Sequence, residues 1–119
     1  KPGMPTMLSV VEDIPVLSLS GNPFAVAALF ELLVGGYLAD RAEEVYTQKK
    51  ETKVLRQTFV KTGKPKRIVK GKCDEEGVFL PQIQRNGQLK NGIGSNCLVV
   101  FPEGERTYPE GEKVQVIRI

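Results

Sequence analysis

Residues 18–40, SLSGNPFAVAALFELLVGGYLAD, decide how the first part of the chain folds. An apolar strand ends at the corner Ser20-Gly21-Asn22-Pro23, and an almost uncharged helix follows at once. Asn22 can cap that helix through its side-chain oxygen. Pro23 suits the first helical position, where its missing N–H is not needed. The spacing predicts a helix over residues 23–46. Phe24, Ala27, Ala28, Leu32 and Leu38 share one face, while Leu29, Phe30, Leu33 and Val34 fill the others. A helix apolar on most faces should be buried from several directions. Gly35-Gly36 weakens its interior by about 1 kcal/mol per glycine and marks a kink or a close helix–helix approach. Residues 24–39, interrupted by Glu31, fall short of the roughly 18–20 apolar residues of a membrane span, so a buried soluble helix is expected.

Upstream, MLSVV (7–11) and IPVLSL (14–19) read as two strands of a hairpin around Glu12-Asp13. Pro15 places the second strand at an edge, or pairs it only past that point. Downstream the composition changes. Residues 49–72 carry ten lysines and arginines against Glu51 alone. KVLRQTFV (53–60), KRIVKGKC (66–73), GVFLPQI (77–83), NCLVVFP (96–102) and KVQVIRI (113–119) then read as short strands separated by turn signals. Such a series suggests a small sandwich or barrel. A boundary is expected near residues 48–52. The front piece is too small to bury its helix alone, so it reads as the tail of a larger α/β domain. The start at Lys1 without an initiator Met suggests a processed chain or a fragment.

The chain has no histidine, which removes Ser-His and Cys-His nucleophile schemes. Cys73 and Cys97 lack a CxxC pattern and read as two reduced, mostly buried thiols rather than a zinc site. The net charge of +3 is too small to name a partner. The basic run could be an electrostatic funnel for an anionic substrate, a nucleic-acid surface, or a solvated face whose lysines discourage sheet aggregation. Phe59 is the only aromatic within it, so base-stacking platforms are scarce. Residues 85–96, RNGQLKNGIGSN, lack the P-loop arrangement and read as turns, with a ligand rim as the functional alternative. Asp74-Glu75-Glu76 reads as a hairpin tip. The corner at Ser20–Pro23 has two readings. It is a cap, or it turns backbone N–H groups toward a tetrahedral oxyanion.

Four motifs occur in order: Lys1-Pro2-Gly3-Met4-Pro5, Ser20-Gly21-Asn22-Pro23, Asn96–Val100 with Pro102-Glu103-Gly104, and Gly111–Val116. Together they resemble the C-terminal part of the molybdopterin molybdenumtransferase family, which includes the E domain of gephyrin. The resemblance implies an α+β chain. Residues 1–48 would be the strand–helix end of a molybdopterin-binding α/β domain, and residues 52–119 a small, mostly antiparallel β-barrel or sandwich domain. The parent enzyme would insert molybdate into adenylylated molybdopterin and release AMP with the help of Mg²⁺. This piece would be inactive alone, with no cofactor bound.

The residues that would face the substrate under this resemblance are Lys1, Pro2, Gly3, Ser20, Gly21, Asn22, Arg67, Lys70 and Asn86. Ser20 replaces the usual first proline of the corner, Ala25 a common serine, and Arg85-Asn86-Gly87 a serine-glycine turn. The resemblance also implies a small anionic substrate, a homodimer of the full-length protein and a cytoplasmic location. It offers no membrane partner and disfavours nucleic acid. The alternatives are a basic β-domain that binds nucleic acid and a protein-interaction module docking through the apolar helix.

Overall fold

The computed structural model describes residues 6–19, 21–43, 49–81 and 94–119. The chain is α+β, with all named strand pairs antiparallel. Strands β1 (Met7–Val11) and β2 (Ile14–Ser18) form the expected hairpin, with Val11 opposite Ile14. Glu12 and Asp13 both take positive φ, 50° and 65°, as a two-residue turn matched to strand twist requires. Pro15 sits opposite Val10 in a two-stranded ribbon. Among the described residues each strand there has one unpaired edge, so the proline's missing N–H is tolerated.

Helix α1 (Pro23–Leu29) runs through a π-helical turn (Phe30–Val34) into α2 (Gly35–Arg41). The amide of Gly35 reaches back to the carbonyl of Phe30, one residue further than an α-helix allows. The expected irregularity therefore lies in the turn before the glycine pair. The helix also ends sooner than expected, because Glu43 takes φ 58°. A left-handed residue just past the last turn stops a helix. Residues 44–48, the rest of the expected helix, lie outside the described residues.

Strands β3 (Lys50–Val54), β5 (Arg67–Cys73), β6 (Val78–Phe79), β7 (Cys97–Phe101) and β9 (Lys113–Arg118) form one sheet in the order β3-β9-β7-β5-β6. Strands β4 (Phe59–Lys61) and β8 (Arg106–Tyr108) form a separate ribbon. The single strand expected over residues 53–60 is thus two. At Leu55 the chain leaves β9 and makes a parallel bridge to Val78. Two hydrogen bonds fix the break, from Leu55 N to Glu112 O (2.8 Å) and from Arg56 N to Val78 O (3.0 Å). β8 carries no strong apolar alternation, and the sequence reading missed it.

The bridge matters because Leu55 follows one edge strand and Val78 lies in the other. The sheet therefore curls far enough for its two sides to touch at this one bridge. Its concave face holds the main core: Leu55, Val69, Val78, Cys97, Val99, Phe101, Val114 and Val116, with Tyr108 from the ribbon. Phe59 stacks on Phe101 at 4.5 Å between ring centroids and helps fill one end. On the convex face, Ala28 of the helix meets Leu98 and Ile117, flanked by Phe24, Leu32, Ile68 and Val100. The rest of the helix surface is open. Val26, Phe30, Leu33, Tyr37 and Leu38 are exposed, as are most apolar residues of the hairpin. Burial from several directions is not what the described residues show.

One steric and two polar devices hold the curled sheet. At the seam, a Cβ on Gly77 (φ 152°) would lie 2.4 Å from the carbonyl oxygen of Val54, so only glycine fits. Asn96 stands in for a strand partner beyond the end of the β5–β7 ladder. Its side chain accepts from Cys73 N and donates to Cys73 O, both at 2.8 Å. Lys61 is 1% exposed, and its ammonium donates to Gly63 O (2.7 Å) and Gly104 O (2.5 Å). It latches the β4–β5 turn to the Pro102-Glu103-Gly104 turn, where Gly104 N also donates to Lys64 O at 2.7 Å.

Gly77→Ala should lower the free energy of unfolding by about 2 kcal/mol or more, because the clash is with backbone and the seam must open. Lys61→Met should cost about 2–3 kcal/mol by leaving two carbonyls without their charged donor. Urea unfolding followed by circular dichroism checks both. Wild-type midpoints would contradict the roles given to the seam and the latch.

Candidate functional site

Strand β5 carries both basic residues singled out from the sequence. Side chains alternate across a strand, so residues 67 and 70 leave from opposite faces. Arg67 points to the concave side, its guanidinium 6.0 Å from the centroid of Phe59. Lys70 points to the convex side, its ammonium 4.6 Å over the ring of Phe24. The fold therefore does not bring Arg67 and Lys70 together. It does bring Lys70 to the corner, because Phe24 lies two residues after Asn22. Burial beside the helix lowers the pKa of Lys70 from its ordinary value.

The corner itself is a cap. Oδ1 of Asn22 accepts from Phe24 N at 2.9 Å and Ala25 N at 3.2 Å. The backbone carbonyl of Asn22 accepts from Val26 N at 3.0 Å. Pro23 has no N–H to give. The first helical amides are thus consumed by the chain, and the expectation that they face an oxyanion is not met. Gly21 remains open, since nothing lies within 4 Å of where its Cβ would be. Lys1, Pro2, Gly3, Ser20 and Asn86 lie outside the described residues.

The ladder registers show a charge asymmetry that the sequence hid. Convex positions include Lys50, Lys113, Lys70 and Lys72, and no acid occurs among the convex positions of the five strands. Glu51, the one acid of the basic run, faces the other way. It receives Arg118 Nε at 3.2 Å and lies 3.5 Å from Lys53 Nζ. The Asp74-Glu75-Glu76 cluster is a hairpin tip, as expected. Asp74 Oδ1 accepts from Glu76 N (2.9 Å) and Gly77 N (3.1 Å). Among the described residues no three potential metal ligands converge.

Cys73 and Cys97 are free thiols, both buried. They lie on the same concave face of neighbouring strands, for Cys97 pairs with Gly71. Burial, reinforced by the neighbouring Cys73, pushes the Cys97 thiol up to about 12. Such a thiol is a packing group rather than a nucleophile.

A family model described as the MoeA C-terminal region, domain IV, matches residues 54–119. The chain belongs to the MoeA family. A protein of Methanocaldococcus jannaschii assigned to molybdopterin biosynthesis is 31% identical over 116 residues, which are 98% of this chain and 27% of that protein. A molybdopterin biosynthesis MoeA protein of Pyrococcus horikoshii superposes with a TM-score of 0.81 at 24% identity, over 100% of this chain and 30% of that one. A molybdenum cofactor biosynthesis protein of Pyrococcus furiosus gives 0.77 at 26% identity, over 100% and 42%. This chain spans well under half the length of each.

Within the MoeA match lie the seam, Asn96, Lys61 and both faces of β5. The helix that supplies Phe24 lies before it. The Pro23–Arg41 run of 19 residues is, by length and composition alone, long and apolar enough to cross a membrane, which corrects the shorter span expected from sequence. Its inner stripe is nonetheless taken up by the sheet through Ala28.

The Cys97 assignment fixes a pH dependence. Between pH 9.0, the ordinary thiol value, and about 12, the unfolded chain has lost the proton that the folded chain keeps. Stability should therefore fall as pH rises through that window, by at most about 1.4 kcal/mol per unit. Cys97→Ala should remove this part of the slope in urea titrations between pH 8 and 11. An unchanged slope would refute the burial argument.

Proposed function

We propose that this chain contributes one wall of the substrate cleft in a longer molybdenum cofactor biosynthesis enzyme. That enzyme inserts molybdate into adenylylated molybdopterin and releases AMP. Family membership carries the reading, supported by the acid-free convex face of the sheet with Lys70 at its helix-covered border. A cationic rim suits a substrate that carries phosphate and accepts an oxyanion. Lys70 would orient the anion as a compact point charge. The seam and the Asn96 clamp would keep β5 rigid beneath it. Mg²⁺ would belong to the overall reaction, and the described residues do not form a site for it. The full-length enzyme would be a cytoplasmic homodimer whose cleft lies between two subunits, and the isolated chain would be inactive.

The full-length gene product and the 119-residue chain should be compared with adenylylated molybdopterin and molybdate, reading AMP release and cofactor formation. The full-length protein should turn over. Lys70→Met within it should lower the rate about tenfold or more, the scale of one lost charge-assisted contact. The isolated chain should give no product. Turnover by that chain, or a silent full-length protein, would reject the proposal.

A further inference from the structure

Two thiols sit in the interior, and neither the cleft wall nor the seam uses them. The chain has two cysteines, Cys73 and Cys97, and both are free. Cys97 lies opposite Gly71, and Cys73 follows Gly71 by two residues on the same concave face. The sulfurs are therefore diagonal neighbours, and the glycine puts no side chain between them. The two thiol groups interact. Asn96 fixes their spacing, because it precedes Cys97 in the chain and bonds both Cys73 N and Cys73 O at 2.8 Å. The surroundings are hydrocarbon: Val78, Leu80, Val99 and Val116 belong to the same buried cluster. Among the described residues no third cysteine, histidine or carboxylate joins the pair as a larger metal group. Arg118 and Glu51, joined at 3.2 Å, are the charged groups that reach Cys97.

We propose that Cys73 and Cys97 form a two-coordinate site for a soft monovalent cation of the Cu(I) class. A disulfide fits this register less well. Diagonal neighbours on a sheet are about 7–8 Å apart at Cα, and a disulfide asks for about 4.4–6.8 Å. Two metal–sulfur bonds of about 2.3 Å each, the zinc–thiolate length, reach across a gap that one S–S bond of about 2.0 Å does not. The number of ligands chooses the metal. Zinc completes a tetrahedron and hard cations ask for oxygen, whereas Cu(I) prefers thiolates and is satisfied by two in a line. The step is an exchange without oxidation. Two S–H bonds break, two S–Cu bonds form, and two protons leave to solvent. A thiol too well buried to act as a nucleophile still surrenders its proton to a bound metal. The product carries one negative charge, which the nearby Arg118 guanidinium offsets. Cys73, 4% exposed against 0% for Cys97, is the way in. The bound ion ties β5 to β7 beside Gly71, and none of this depends on the chemistry of the cleft.

The test titrates the reduced chain with Cu(I) under nitrogen, in competition with the chromophoric chelator bicinchoninate, and follows folding by backbone amide spectra. One Cu(I) should bind per chain. The native spectrum should persist, with shifts centred on residues 71–73 and 96–99. Cys73→Ser and Cys97→Ser should each weaken binding about a hundredfold or more, since one thiolate of two is lost. Met7→Leu removes an exposed sulfur outside the site and should leave the affinity unchanged. Zn(II) at the same concentration should not bind. The urea midpoint should rise on loading, because the ion binds the folded pair. X-ray absorption at the copper edge needs no variant, and it should show two sulfur neighbours without nitrogen or oxygen. Absence of binding, full affinity in either serine variant, and tighter binding of Zn(II) would each overturn the proposal. So would nitrogen or oxygen at the metal, or a urea midpoint that fails to rise.

Discussion

An antiparallel sheet of five strands has two raw edges, and this protein curls until they touch at one bridge, Leu55 to Val78. Leu55 leaves β9, bridges Val78, and brings the carbonyl of Val54 against Gly77. The core inside exists only because that seam closes. Val78 and Leu55 are completely buried, and Val69, Cys97, Val99 and Phe101 pack on the same concave side. The space is tight throughout. A Cβ on Gly71 would lie 3.0 Å from methyl groups of both Val78 and Val99. Interiors packed to this density transmit any misfit to their neighbours. Seam, core and the straightness of β5 are one problem solved together.

Closing the concave side leaves a convex side with its own apolar centre, and the helix settles there. Ala28 is small enough to let it lie close to Leu98 and Ile117. That contact decides where Phe24 goes, and so where Lys70 finds an aromatic surface. Asn22 then has to end the helix neatly, because any amide left open beside an apolar cluster would be costly. The same physics that positions the corner near a cation thus spends its amides internally. Proximity to a positive charge and availability of the first helical amides are separate properties, and the helix start keeps only the first.

Much of this was legible in the residues. The hairpin around Glu12-Asp13, the Asn22 cap, strands at 67–73, 97–101 and 113–118, and the Asp74 tip all follow from local chemistry, which the fold did not need to override. The strand over 53–60 was not legible, because its break depends on Glu112 and Val78, which are distant in sequence. Lys61 gave no signal either: a lysine among lysines reads as surface, and only two carbonyls from separate turns make it interior. Arg67 and Lys70 looked like a pair because the carried-over pattern is linear. Strand alternation separates them, and nothing short of a register reveals which one meets the helix.

The π-helical turn at Phe30–Val34 has a geometric result of its own. A ring closed five residues back acts like one residue spliced into an α-helix, so everything beyond it is rotated by about 100° relative to an unbroken spiral. Phe24, Ala28 and Leu32 lie along one line, whereas Tyr37 and Leu38 come out on a different bearing, away from the sheet. Deleting a single residue there would re-phase the second half of the rod and turn another set of side chains outward. The five-residue turn is therefore the dial that sets which hydrocarbon the protein shows beyond Gly35.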